Sequence, residues 1–312
     1  MSEHPGALMA SLREPTADER TRFAVVADPH VSTREEGTSK LFEHTEEHFR
    51  AAIEDMRGRN LDAVVSPGDL TKDGEPWNYD AVDDILETLD VPFYAVPGNH
   101  DVPKDGYDHE NPSVPWFAEQ YGPGEIPYRV RVGDVDIIGL NSSGTRDQLY
   151  DSHDGLVDED QREWLADALE DAHNPIVVVH HNFPPVSDQL TRHRDTVESE
   201  MAMPPIMREP EAFAETLADG DAHLVFTGHY HLPATGEYEG IREIATPTTC
   251  SFPQAYLLCE VTPEGTEIRF VPVADETGLE NAHAERIGDS VTSRGLTSIA
   301  AARVARFPLL DE

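Results

Sequence analysis

Lysine is scarce in this sequence, and acidic residues outnumber basic ones. Among 312 residues there are three lysines (Lys40, Lys72 and Lys104), and 23 Lys and Arg residues stand against 61 Asp and Glu residues, which gives a formal net charge of −38. Proteins that bind nucleic acids carry a basic patch or stripe that neutralises phosphates. The sequence has no such stripe, so we expect no nucleic-acid partner.

Cysteine and long apolar runs are also rare. The two cysteines, Cys250 and Cys259, lack the C-x-x-C spacing of a metal knuckle, and we interpret them as buried thiols in a reducing compartment. Residues 1–20 lack the apolar segment of a signal peptide, and no run approaches the roughly 18 to 20 apolar residues that span a bilayer. We therefore expect a cytoplasmic protein with no membrane partner and with a flexible tail over 1–20.

Short apolar runs, typical of buried strands, end in polar residues at five places along the chain. The five polar groups are Asp28-Pro29-His30 after 22–27, Pro67-Gly68-Asp69 after 63–66, Pro97-Gly98-Asn99-His100-Asp101 after 93–96, His180-His181 after 176–179, and Thr227-Gly228-His229-Tyr230-His231 after 222–226. Apolar residues at helical spacing occur in 39–59, 77–89 and 164–172. This alternation predicts a largely parallel sheet with a site beyond the carboxyl ends of its strands.

The later part of the chain shows a different pattern. Gly133-Asp134 is a predicted hairpin turn between strands at 128–132 and 135–140. Three further apolar runs are predicted to be antiparallel strands of a second sheet, at 241–246, 255–261 and 267–273. Beyond them, residues 276–312 are expected to form a C-terminal extension with a helix at about 293–306.

The five polar groups together contain the ligands that a pair of divalent cations requires. Such a pair needs several carboxylate or neutral imidazole ligands, one carboxylate able to bridge, and open positions for water and a phosphoryl oxygen. Each short motif alone is typical of a helix cap or a turn. All five in order, each after a predicted strand, indicate a metal site with the candidate ligands Asp28, His30, Asp69, Asn99, His180, His229 and His231.

These blocks, D-x-H, G-D, G-N-H-[DE], H and G-H-x-H, are similar to those of the calcineurin-like metallophosphoesterase superfamily over about 23–273. The block from Gly68 to Tyr79 is similar to the class III cyclic-nucleotide and glycerophosphodiester phosphodiesterases. It lacks the D-R-G of protein serine/threonine phosphatases. The resemblance implies an α/β fold, a four-layer αββα sandwich of two mixed sheets flanked by helices, with the domain at 21–275.

The resemblance also implies roles for the site residues. One ion would be held by Asp28, His30, Asp69 and His231, and the second by Asp69, Asn99, His180 and His229. Asp69 would then bridge the ions, and a hydroxide between them would attack phosphorus. His100 would protonate or hydrogen-bond the leaving oxygen, with Asp101 orienting its ring. The His180-His181 pair leaves the ligand open between the two rings, and alignment with the family's H-x-x-P pattern favours His180.

Other polar residues have weaker cases. His44, His48, His173 and His223 are interpreted as structural. Residues 183–215 could form a lid over the metals or a solvated loop with a small helix, and His109 and Arg146 are minor candidates.

The resulting hypothesis is dinuclear-metal-dependent hydrolysis of phosphoesters, most readily phosphodiesters of small molecules. A phosphomonoesterase is the alternative, and a metal-stabilised binding module without turnover is a third reading. A nuclease of the same superfamily is disfavoured by the missing basic groove. Imidazole and carboxylate ligands without thiolate suit Mn, Fe, Zn or Co.

We expect thermal stability to rise with potassium chloride up to molar concentration. The acidic composition is typical of halophilic proteins, because repulsion within a chain of charge −38 is screened when the Debye length falls to about 3 Å at 1 M salt. An acidic protein of ordinary habitat is the alternative interpretation. Melting temperatures measured across a salt series distinguish the two, since a flat profile between low and molar salt would remove the halophilic one.

Overall fold

The structure is a computed structural model that describes residues 6–104, 106–145 and 153–312. Within these ranges the strands are β1 (Ala7–Leu12), β2 (Thr21–Val25), β3 (Ala63–Ser66), β4 (Phe93–Ala95), β5 (Tyr128–Val132), β6 (Val135–Gly139), β7 (Gly155–Leu156), β8 (Ile176–Val178), β9 (Met207–Arg208), β10 (Leu224–Thr227), β11 (Ala234–Tyr238), β12 (Ile241–Ala245), β13 (Ala255–Thr262), β14 (Gly265–Pro272) and β15 (Leu310–Asp311). The helices are α1 (Thr45–Arg57), α2 (Pro76–Leu86), α3 (Val114–Tyr121), α4 (Glu159–Leu169), α5 (Pro184–Thr196), α6 (Pro210–Asp219), α7 (Glu276–Asp289) and α8 (Val291–Val304).

Two large mixed sheets form the centre of the molecule. The first has seven strands in the order β15-β1-β14-β13-β2-β3-β4, with β2, β3 and β4 parallel. The second has six strands in the order β11-β12-β10-β8-β6-β5, with β6, β8, β10 and β12 parallel. The predicted hairpin at Gly133-Asp134 is confirmed, because β5 and β6 pair antiparallel on either side of it.

The two sheets pack face to face through a continuous apolar core. Phe23 of the first sheet meets Phe226 of the second edge to face, with ring centroids 6.0 Å apart. The outer face of the first sheet packs on α1, α2 and α3, and the outer face of the second packs on α4 and α6. The layers therefore follow the order αββα, and the predicted fold class is confirmed. Both cysteines are free and buried, as expected.

Two features of the topology differ from the sequence-based expectations. Residues 7–12, which were expected to lie in a flexible tail, form a strand of the first sheet. This strand, β1, pairs with β14 and buries Met9, Ala10 and Leu12. The three late strands do not share one sheet: β12 joins the second sheet beside β10, whereas β13 and β14 pair within the first. An apolar pattern predicts that a segment is a strand, but it does not predict which strand lies beside it, because either sheet could take up the segment.

The C-terminal region folds as two consecutive helices, where the sequence predicted one at about 293–306. The second of them, α8, packs on α5 through Ile299, Ala300 and Leu190. Residues 183–215, the expected lid or loop, contain α5, β9 and the start of α6. Among the described residues, no helix has the length and apolar character needed to cross a bilayer.

Candidate metal centre

The candidate ligands lie in loops that directly follow β2, β3, β4, β8 and β10. In each sheet the strands concerned run parallel, so their carboxyl ends meet at one edge. Backbone hydrogen bonds join the loops to one another. The amide of Asp28 donates to the carbonyl of Gly68 at 3.0 Å, and the amide of Gly228 donates to the carbonyl of His180 at 3.0 Å. The loops of the two sheets therefore form a single polar surface.

Five of the candidate ligands have a left-handed backbone conformation. The φ angles are 51° for Asp28, 45° for His30, 57° for Asp69, 71° for His229 and 55° for His231. This conformation costs a non-glycine residue about 1–3 kcal/mol, and such residues concentrate at functional sites. The loops are thus bent at the ligands themselves, which turns their side chains toward a common centre.

Two glycines permit the close approach of the β3 and β4 loops. A Cβ atom on Gly68 would lie 2.2 Å from the amide nitrogen of Gly98, and one on Gly98 would lie 2.1 Å from Oδ1 of Asp69. Neither contact is sterically allowed. A side chain at Gly98 would therefore displace Asp69, and one at Gly68 would push the β4 loop away.

The first ligand group contains Asp28, His30, Asp69 and His231, with one ligand atom of each within 4.8 Å of the others. Nε2 of His30 lies 3.0 Å from Nε2 of His231, which in turn lies 3.4 Å from Oδ1 of Asp28. These are the residues that the family resemblance assigned to one ion. The structure brings all four together.

The second ligand group centres on the amide oxygen of Asn99. This Oδ1 atom lies 3.0 Å from Nε2 of His180 and 2.9 Å from Nδ1 of His229. The side-chain nitrogen of Asn99 lies 3.1 Å from Nδ1 of His153, which holds the amide so that its oxygen faces the two histidines.

Asp69 lies between the two groups. Its Oδ2 atom is 3.5 Å from Nε2 of His30 in the first group and 3.5 Å from Nε2 of His180 in the second. Its Oδ1 atom accepts a hydrogen bond of 2.8 Å from the amide of His100. Asp69 is therefore a neighbour of both groups of candidate ligands.

Electrostatics favours cations at this position. Asp28 and Asp69 are buried, and within the described ranges no lysine or arginine lies at ion-pair distance from either carboxylate. Burial raises the pKa of Asp28 to about 7 and the pKa of Asp69 well above its usual value. Burial lowers the pKa of His180 to about 3 and that of His231 well below the usual range. Neutral imidazoles are the form that binds metals, so this donor set fits divalent cations.

The two rings of the His180-His181 pair have different surroundings. Nδ1 of His180 contacts the carbonyl of Pro67 at 2.8 Å, which leaves Nε2 facing Asn99 and Asp69. Nδ1 of His181 contacts Oγ of Ser142 at 2.8 Å and its Nε2 contacts the carbonyl of His153 at 3.0 Å. One nitrogen of His181 also lies within 4.8 Å of ligand atoms of His180 and His229. Because both nitrogens of His181 have partners outside the site, the geometry favours His180 as the ligand.

The ring of His100 is oriented by Asp73, and the expectation that Asp101 orients it is wrong. Nδ1 of His100 lies 2.9 Å from Oδ1 of Asp73 and 2.6 Å from the carbonyl of Lys72. The Asp101 carboxylate instead accepts hydrogen bonds from the amides of Leu70, Thr71 and Gly98 and from the Tyr79 hydroxyl. Asp101 therefore ties the β3 and β4 loops together, because its side chain turns back toward the backbone.

The remaining candidates lie outside the ligand groups. His48 contacts the carbonyl of Cys250, and the exposed or partly exposed His44, His173 and His223 pair with nearby acids. His109 contacts the carbonyl of Asp73 at 3.1 Å and is thus a neighbour of the His100 partner. Arg146 lies outside the described residues.

The C-terminal helix α7 reaches the centre through Arg286, which is almost fully buried. Its guanidinium donates to the carbonyl of His231 at 2.9 Å and to the carbonyl of Phe252. Burial lowers its pKa to about 10, so the group is a cation at neutral pH. No motif in the sequence marks Arg286, and its contact depends on the path of the chain after β14. Asp73, His153 and Lys40 are further neighbours of the site that the sequence reasoning did not select.

Residues 21–233 match the family model of the calcineurin-like phosphoesterases. The match covers more than half of the chain, and the chain belongs to this family. The resemblance stated from the five sequence blocks is confirmed.

Several known proteins are similar to this chain in sequence or in fold. A probable cyclic nucleotide phosphodiesterase of Psychrobacter sp. (strain PRwf-1) is 26% identical over 209 residues, which are 64% of this chain and 54%, or about half, of that protein. The 3′,5′-cyclic adenosine monophosphate phosphodiesterase CpdA of Escherichia coli (strain K12) is 26% identical over 239 residues, which cover 74% of this chain and 77% of that protein. A dimetal phosphatase from Danio rerio has a similar fold, with a TM-score of 0.56 at 15% identity over 82% of this chain and 97% of that chain.

We expect Arg286→Met to lower both stability and metal content. The substitution leaves two buried carbonyls without a donor, and each such loss costs about 1–3 kcal/mol, so the free energy of unfolding should fall by at least about 2 kcal/mol. His231 should then be held less firmly. Urea unfolding and elemental analysis measure the two effects. Arg294→Met is the matched control, because Arg294 forms an exposed ion pair with Glu198. Equal stability of the two variants would contradict the role assigned to Arg286.

Proposed function

We propose that this protein hydrolyses phosphodiesters of small molecules with the help of two divalent transition-metal ions. The observation that carries the proposal is the position of Asp69, whose Oδ2 atom lies at the same distance, 3.5 Å, from a histidine of each ligand group. A single ion would use one group and leave the other group of buried imidazoles without a purpose. Two ions use both.

In this proposal the first ion is held by Asp28, His30, Asp69 and His231, and the second by Asp69, Asn99, His180 and His229. Bound cations of this kind supply Lewis acidity toward phosphoryl oxygens and lower the pKa of water. The protein holds the ligands in position. His153 orients the Asn99 amide, and Arg286 holds the backbone of His231.

His100 is the residue proposed to assist the leaving group. Its Nδ1 faces two acceptors, Asp73 Oδ1 and the Lys72 carbonyl, so this nitrogen carries a proton and Nε2 is free for the substrate. The pKa of Asp73 is lowered by its hydrogen bond with His100 and by Lys72, against the effect of burial, and the group is a carboxylate. A carboxylate on Nδ1 stabilises the doubly protonated ring that donates from Nε2.

Preference for diesters rests on two observations. The relatives described above are named as cyclic nucleotide phosphodiesterases, and the block after Asp69 reads Leu70-Thr71-Lys72-Asp73 where protein phosphatases have D-R-G. Phosphomonoester hydrolysis is the alternative, because the same two ions can serve either reaction. A binding module without turnover is disfavoured by His100, whose Nε2 is held ready for a substrate.

Turnover of a small substrate panel, together with metal analysis, tests the proposal. We expect protein loaded with Mn²⁺ to hydrolyse bis(p-nitrophenyl) phosphate faster than p-nitrophenyl phosphate, with cyclic AMP and glycerophosphocholine as natural-type diesters. Asp69→Ala should lose most of both ions, because one carboxylate serves both groups. Faster monoester turnover would support the alternative. Loss of only one ion would contradict the bridging role of Asp69.

We expect His100→Ala to keep its metals and to lose turnover by about 10²- to 10⁴-fold, the usual contribution of general acid catalysis. The loss should be greater for an alkyl ester than for an aryl ester, because p-nitrophenolate departs without a proton and an alkoxide does not. Single-turnover rates on both esters measure the difference. His173→Ala, which removes an exposed histidine paired with Asp134, serves as the control. Equal losses on the two esters would assign His100 to transition-state binding alone.

A further inference from the structure

We propose that Lys40 binds an anionic oxygen of the substrate beside the first ligand group, as a specificity residue of the hydrolase proposed above. The sequence analysis did not select Lys40 as a site residue, and no part of the five motifs contains it. The proposal rests on the proposed function for the identity of the anion, which is a phosphoryl oxygen.

The first observation concerns how the three lysines are paired. Nζ of Lys72 lies 2.7 Å from Asp73, and Nζ of Lys104 lies 3.6 Å from the same carboxylate. Lys40 differs from both, because no carboxylate of the described residues lies at ion-pair distance from it. Its polar side-chain contact is Nδ1 of His30, at 3.2 Å. In a chain with 61 acidic residues, an ammonium that forms no ion pair with any described carboxylate is available to an incoming anion.

The second observation is that the ammonium is held in place by an ordered segment. Leu41 follows with a left-handed φ of 55°, and the amides of Leu41 and Phe42 donate to the carbonyls of Thr38 and Gly37. The ring of Phe42 is buried, and its centroid lies 6.0 Å from Nζ of Lys40. Nζ of Lys72 lies 5.5 Å from the same centroid. The segment therefore directs Lys40 to the site.

The third observation is the position of the ammonium relative to the reacting groups. The His30 ring lies 4.7 Å from the His100 ring and 4.9 Å from the His231 ring, measured between centroids. Nε2 of His30 faces Asp69, and Nδ1, on the other side of the ring, faces Lys40. Lys40 thus contacts a candidate metal ligand whose ring also packs against the ring of the proposed leaving-group residue.

The hydrogen-bonding capacity of His30 explains why an anion is required. An imidazole that gives its Nε2 lone pair to a cation carries its proton on Nδ1. That N–H cannot accept a hydrogen bond from an ammonium, which has donors only. When His30 serves as a ligand, Lys40 must find another acceptor. The nearby carboxylates are occupied by other partners or belong to the ligand groups, so a substrate oxygen is the acceptor that this arrangement favours.

Binding of inorganic phosphate to the metal-loaded protein tests the proposal without turnover. The variants are Lys40→Met, which removes the charge, and Lys40→Arg, which keeps it. Arg50→Met is the control, because it makes the same change in net charge at an exposed ion pair with Glu46 in α1. Phosphate affinity is measured by calorimetry and metal affinity by competition with a chelator, at one ionic strength.

We expect Lys40→Met to weaken phosphate binding about tenfold to a hundredfold, the range of a hydrogen bond between charged groups. Its metal affinity should be unchanged or higher, because a cation next to His30 repels a divalent ion. The phosphate affinity of Lys40→Arg should stay within about threefold of that of the wild type. The phosphate affinity of Arg50→Met should equal that of the wild type.

Three outcomes would overturn the proposal: phosphate affinity unchanged in Lys40→Met, phosphate and metal affinity falling together in that variant, or no phosphate binding by the metal-loaded wild type. The second outcome would assign Lys40 a structural role. Melting curves of Lys40→Met and of Lys40→Gln, a second neutral variant, would reveal such a role as a loss of stability. Failure of the diester assay alone would overturn the proposed function and would leave the phosphate measurement decisive for Lys40.

Discussion

The burial of two carboxylates, with no described lysine or arginine at ion-pair distance from either, is the constraint on which this structure depends. Asp28 and Asp69 are removed from water at the edge where the parallel strands of both sheets end, and the polar side chains beside them are imidazoles that burial keeps neutral. Burying a charge is costly unless it is paired or binds a metal. Folding therefore creates a site whose electrostatic balance is completed by bound cations, and the arrangement of the surrounding loops serves this requirement.

The loops keep their shape because several independent elements hold them. The Asp101 carboxylate accepts three amide hydrogen bonds from the β3 and β4 loops. On the opposite side, Arg286 of α7 holds the carbonyl of His231. The left-handed residues between these points carry a conformational cost that would otherwise be released by rearrangement. A carboxylate from one loop and a guanidinium from the C-terminal region thus stabilise the same strained centre.

The sequence could indicate which candidate ligands lie near one another, because their positions follow from the strands. A polar residue directly after a buried parallel strand lies at the sheet edge, so Asp28 and Asp69, which follow the neighbouring strands β2 and β3, could be placed together from their positions in the sequence. His180 follows β8 of the second sheet, and the packing of the two sheets brings it to Asp69. The partner of His100 could not be found in this way. Asp101 is its neighbour in sequence, but the turn directs that side chain toward backbone amides, and Asp73 reaches the ring from another loop. Likewise, the pairing of β1 depends on an open edge at β14, which no local pattern reveals.

The charge of the whole chain and the charge of the site act at different ranges. A net charge of −38 repels an anionic substrate at low ionic strength, whereas at molar salt a Debye length of about 3 Å removes that long-range repulsion. Any long-range attraction toward the cations is removed as well. Substrate binding must then depend on contacts shorter than the Debye length, such as those made by bound ions and by an ammonium fixed beside them. An acidic surface and the proposed cationic site can therefore coexist in one protein. Lys72 and Lys104, the other two lysines, likewise make short-range contacts, since both lie next to the residue that orients His100.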